Sequence, residues 1–79
     1  MVAERHSGRQ LTSLPLGQEA KVAHFTNDLI GSKLMTMGVL PGSNLQILRK
    51  APFGGSWYVK VGNFYLALRK AEAESIVLA

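Results

Sequence analysis

The 79-residue sequence predicts a small, mainly β protein. It reads as a partly open barrel of five short strands, with one α-helix after the first strand and a short helical turn before the last. Three observations point there. The apolar period switches from helical to two-residue alternation within a few residues of Gly38. Residues 56–61 and 64–68 flank Gly62-Asn63, a two-residue loop suited to a primed hairpin turn. A chain this short cannot leave long flat strand edges unpaired, so closure of the sheet is expected.

The elements follow in order. Residues 1–10 read as a flexible polar tail ahead of a domain over 11–79. Leu11, Leu14 and Leu16 are apolar marks interrupted by Pro15 and Gly17, which suits a short helical turn or an extended entry. Residues 18–25 form a first strand of imperfect alternation, with Ala20 and Val22 on one face and Ala23 and Phe25 on the other. Asn27 is a good N-cap, and Asp28 in the first turn complements the helix dipole.

The helix over 28–37 places Ile30, Leu34 and Met37 on one stripe. Gly31 inside it costs up to about 1 kcal/mol, so packing must hold the helix. Gly38 supplies the positive φ that ends it, and Val39 can pack back on the last turn. Pro41-Gly42 makes a turn, because Pro presets φ and Gly accepts the left-handed position.

From Asn44 the period is two, with Leu45 and Ile47 inward. In the hairpin the two-residue loop pairs Val61 with Phe64, Val59 with Leu66 and Trp57 with Leu68 on one face. Lys60–Tyr65 and Tyr58–Ala67 pair on the other, and a slip by one residue would destroy the segregation. Lys70–Glu74 reads as a helical turn and 75–78 as a closing strand. Leu34, Met37, Leu45, Ile47, Trp57 and Leu66 are the expected core.

Composition narrows the functional classes. Net charge is +4, of which the tail contributes +1 (Arg5 and Arg9 against Glu4) and the body +3. That permits an acidic protein, a nucleic acid or an anionic surface as partner. There is no Cys, hence no disulfide and no thiolate metal site, which suits a reducing compartment. No apolar run approaches the length of a membrane span. Motifs for nucleophilic, phosphate-loop or zinc-protease chemistry are missing, so no catalytic residue is assigned.

The ordered set Leu11-x-x-Leu14 with Gly17, Leu34-x-x-Met37-Gly38, Val39-Leu40-Pro41-Gly42, Leu45-x-Ile47, Ala51-Pro52 and Gly54-Gly55 resembles the FeoA family of ferrous iron transport accessory proteins. Leu66-Ala67-Leu68-Arg69, Glu72-Ala73 and Ile76 extend the match over nearly the whole chain. The resemblance implies an SH3-like barrel in the cytoplasm and no enzyme activity. It also implies an adaptor or regulator that acts on the cytosolic part of a FeoB-type membrane ferrous iron transporter. The same fold closes iron-dependent repressors, so a metal-responsive module is an alternative reading. A small basic nucleic-acid-binding barrel, using Tyr58, Lys60 and Tyr65 as a platform, is another.

Candidate contact residues are Leu29, Lys33, Met35, Val39, Leu40, Pro41, Pro52 and Phe53, because Met35, Val39, Leu40, Pro52 and Phe53 cannot all be buried in so small a core and Leu29 and Met35 fall off the main helical stripe. Lys33, Arg49 and Lys50 are expected to steer an acidic partner. No metal ligand set is assigned and no cofactor is expected. His6 and His24 are the only histidines, and only Asp28 and Glu19 lie near His24 in sequence. Homo-oligomerisation through open edges stays open.

Overall fold

The computed structural model describes residues 9–51, 53 and 55–79. Six antiparallel strands form one sheet in the spatial order β1-β6-β2-β3-β4-β5. They are β1 (Arg9–Gln10), β2 (Glu19–Phe25), β3 (Asn44–Lys50), β4 (Trp57–Val61), β5 (Phe64–Leu68) and β6 (Ile76–Leu78). Helix α1 (Asp28–Thr36) follows β2, and α2 (Lys70–Glu74) precedes β6. A 3-10 turn, Leu11–Ser13, links β1 to the barrel.

The sixth strand corrects the expected five. Arg9 and Gln10, assigned above to the tail, pair with Leu78 and Val77 of β6. Two exposed polar residues carry no alternation to read, and only tertiary pairing makes them a strand.

Two bulges turn the sheet into a barrel. In β2 the register shifts between Val22 and His24, so residues 19–21 pair with β3 and residues 22–25 with β6. The extra residue also turns Phe25 toward the core, where it packs as a partly buried side chain. In β3 the shift falls between Ile47 and Arg49 and sets Lys50, rather than Arg49, opposite Trp57. The β4–β5 register has the five pairs expected, from Trp57–Leu68 to Val61–Phe64.

The core joins Leu11, Leu14, Val22, Leu34, Val39, Leu45, Ile47, Val59, Val61, Leu68, Ala73, Ile76 and Leu78. Trp57 and Leu66 pack against it only partly buried. Met37, expected inside, is exposed. The helix ends one residue earlier, with Met37 as its C-cap, so Met37 leaves the apolar stripe.

Val39 fills the core beside Leu34 instead. The Val39 N–H donates to the Leu34 carbonyl at 2.9 Å and the Gly38 N–H to the Met35 carbonyl at 3.0 Å. These two bonds form a Schellman motif, which brings the residue after the glycine back onto the last turn. At the other end Asn27 Oδ1 accepts from the Ile30 N–H at 2.9 Å, as an N-cap should. Gly31 is buried where a Cβ would lie 2.9 Å from Phe25 Cβ. Its propensity cost therefore lets α1 approach β2 closely.

Candidate protein-contact surface

The segment 38–43 is locked to its surroundings by hydrogen bonds. Gly38 has φ 101°, and a Cβ there would meet Phe64 Cζ at 2.8 Å. The hairpin tip thus rests on the end of α1. Next, the Ser43 N–H donates to the Leu40 carbonyl at 2.9 Å, and Gly42 has φ 90°. That is the Pro-Gly turn with its positive φ at the third position. The Leu40 N–H donates to Ser43 Oγ at 3.2 Å and closes the turn from the other side. The Gly42 N–H donates to Val22 O at 2.7 Å, and Val22 N–H donates to Ser43 O at 2.9 Å.

On this frame Leu40 is 49% exposed and Pro41 is exposed beside it. Met35 and Met37 are exposed on the last turn of α1, and Phe64 is partly exposed against Gly38. These five apolar side chains border the C-terminal end of α1. Phe64 and Met37 are additions that periodicity could not supply, since both follow the inward stripe of their elements. Phe64 rests one side of its ring on Gly38 and leaves 38% of its surface to solvent.

The expected surface does not hold together as one patch. Val39 is 0% exposed and is core, which corrects its assignment as a contact residue. Leu29 is 85% exposed but sits six residues before Met35, about 9 Å back along the helix. Phe53 is fully exposed with φ 58°, a left-handed conformation unusual for an aromatic residue. It lies in the loop that enters β4, whereas the hairpin touching Gly38 leaves β4 at its other end, about 13 Å away. Pro52 falls outside the described residues.

Of the expected steering cations, Lys33 is paired with an acid, while Arg49 and Lys50 lie over aromatic rings and keep their charge. Lys33 Nζ lies 2.7 Å from Glu72 Oε2, an ion pair between α1 and α2. Glu72 is buried, and its carboxylate also accepts the Arg69 N–H at 2.9 Å. The Lys33 hydrogen bond, then the Arg69 N–H, holds the Glu72 carboxyl below its ordinary range. This pair joins residues 39 positions apart, and no sequence pattern announced it. Arg49 lies over the Tyr58 ring at 5.3 Å, Lys50 over Trp57 at 4.5 Å and Lys60 over Tyr65 at 6.0 Å.

Among the described residues no three of His, Cys, Asp or Glu gather to hold a metal ion, and no pocket opens. None of the described helices is long and apolar enough to cross a membrane.

Comparison with curated protein sequences gives no match. Solved structures do. The chain is similar to a FeoA-like protein from Clostridium acetobutylicum, at 28% identity and TM-score 0.83 over 92% of this chain and 86% of that one. It is similar at 32% identity and TM-score 0.75 to FeoA of Stenotrophomonas maltophilia, solved with zinc and described as a procaryotic SH3 domain protein. That match covers 90% of this chain and 89% of the other. A manganese-dependent transcriptional repressor shares the fold at 22% identity and TM-score 0.80, with this chain spanning 41% of its length. The FeoA domain model matches residues 9–79, and the SH3-like barrel belongs to the FeoA family.

Proposed function

We propose that this chain is a non-catalytic adaptor in bacterial ferrous iron uptake, acting in the cytoplasm by binding the cytosolic part of the membrane ferrous iron transporter. The S. maltophilia relative has been put forward as a ferrous iron transport activating factor, which supports the setting. The observation that carries the reading is the surface at the end of α1. There Met35, Met37, Leu40, Pro41 and Phe64 expose apolar area on a backbone that its own hydrogen bonds already hold. A preorganised apolar patch loses little conformational freedom on binding, and such patches mark contact sites.

Calorimetric titration of this protein with the transporter's cytosolic domain tests the proposal. Binding by the wild type and its loss in Leu40→Asp, with the barrel still folded, is the expected result. Equal binding by both proteins would overturn the assigned surface.

A further inference from the structure

The sheet has an open edge at β5. Strand β5 pairs with β4 and, among the described residues, has no strand hydrogen-bonded on its other side. The outward groups can be assigned. The Gly62 N–H donates to Asn44 O at 3.0 Å, so alternate β4 residues from Gly62 face β3 and those from Val61 face β5. Across the ladder, Phe64, Leu66 and Leu68 then bond to β4. Tyr65 and Ala67 turn their N–H and C=O groups to the open edge. Both residues are exposed, Tyr65 at 66%.

Edges are normally blunted by charge, proline or a bulge. The β5 sequence FYLAL has neither charge nor proline, and its register with β4 runs without a shift.

The charges nearest β5 in sequence are basic. No Asp or Glu occurs between Asp28 and Glu72. Lys60 lies over the Tyr65 ring, and Arg69 and Lys70 follow the strand, both exposed. The nearest acids in sequence are Glu72, already bound to Lys33, and Glu74 at the end of α2.

We infer that β5 receives an extended acidic peptide segment of a partner protein as an added strand. Alternating N–H and C=O groups along an edge are satisfied together by another peptide backbone. A nucleic acid or lipid headgroup brings acceptors for the cations but cannot match that alternation. A second copy of this chain would set Lys60, Arg69 and Lys70 against their own like, which the charge disfavours. An acidic strand meets both the backbone pattern and the cations. The surface adjoins the Leu40 patch at Phe64, but its outward backbone groups belong to Tyr65 and Ala67, whereas Phe64 bonds to β4.

The test is an amide NMR titration of the full chain with a peptide of about ten alternating Glu and Val residues. A Lys–Val peptide and an oligothymidylate of similar length serve as comparators. The Tyr65 and Ala67 amides are expected to shift and exchange more slowly with the acidic peptide. The Lys–Val peptide should bind about tenfold more weakly, and the oligothymidylate should leave both amides unmoved.

Unmoved Tyr65 and Ala67 amides with the acidic peptide would overturn the inference. So would equal binding of both peptides, or a larger response of Tyr58, Lys60 and Tyr65 to the oligothymidylate. Ala67→Pro removes an outward N–H without taking a bond from the β4 ladder, and should abolish the response at Tyr65 while Val61 and Leu45 keep their native shifts. If that variant fails to fold, Lys60→Glu with Lys70→Glu leaves the backbone intact and should reverse the preference toward the Lys–Val peptide. A preference left unreversed contradicts the inference. The transporter titration above is decided by Leu40→Asp, which leaves the Tyr65 and Ala67 edge intact, so the two readings fail or succeed separately.

Discussion

Two turns of this barrel carry apolar residues to solvent, and they are built in opposite ways. The turn at 39–43 is tied to α1 by the Schellman bonds and to β2 through Val22, with Val39 anchored in the core. The loop at 51–56 is closed by the Ala51 N–H donating to Ser56 O at 2.8 Å, and Phe53 beyond it is fully exposed in a left-handed conformation. Both offer hydrophobic area, but only the first offers it on a scaffold with a buried foot. A partner that docked on Phe53 would have to supply the packing that Leu40 inherits from Val39. Apolar exposure therefore ranks below preorganisation as the mark of the contact surface.

Neighbouring substitutions break this contrast most sharply. Val39→Asp would bury an unpaired carboxylate in the core, at a cost of several kcal/mol against a total stability of about 4–12 kcal/mol for a domain this size. It should abolish the cooperative transition in denaturant. A Val39→Asp variant that unfolds like the wild type would show that this turn has no buried foot.

Gly38→Ala comes next. Its φ of 101° is hostile to a Cβ, and the new methyl would press on the Phe64 ring. A loss of about 1–2 kcal/mol is expected, read as a drop of several degrees in Tm. Unchanged stability would mean that Phe64 and the cap are free to move.

The Lys33–Glu72 pair gives a pH signature. The Glu72 carboxyl lies below its ordinary value of 4.5 in the folded barrel, chiefly through Lys33. A depressed carboxylate adds stability above its unfolded value and loses it as pH falls through the folded one. The wild type should therefore weaken progressively below pH 4.5. Glu72→Gln should lose on the order of 1 kcal/mol at neutral pH, because Lys33 is half in solvent and screened. It should also show a flatter acid limb in a denaturation series. Parallel acid limbs would contradict the assignment.

The smallest effect on stability belongs to Leu40→Asp, expected within about 0.5 kcal/mol because the side chain already meets water.

Much of this architecture was legible in the residues. The hairpin register followed from a two-residue loop with strict alternation on each side, and the helix ends followed from Asn27 and Gly38. These are local rules, satisfied within a few positions. What escaped was non-local or broke a period. Arg9 and Gln10 become a strand only because β6 is there to pair with them. The bulges at β2 and β3 each shift a register by one residue, which turned Phe25 inward and set Lys50 opposite Trp57. Lys33 read as a steering charge until α2 brought Glu72 to it. The contact surface was half legible. Leu40 and Pro41 stood out as surplus apolar residues beside a turn, but the cap that exposes them is the same feature that buries Val39. Phe53 matched them in chemistry and lies at the far end of β4.

The measurement that bears most directly on the adaptor account is a backbone NMR titration of the full chain with the soluble cytosolic domain of the ferrous transporter. The account predicts shifts centred on Met35, Met37, Leu40 and Phe64, absent when Leu40→Asp replaces the wild type. Shifts centred instead on Phe53 and its loop, or no shifts at all, would contradict it.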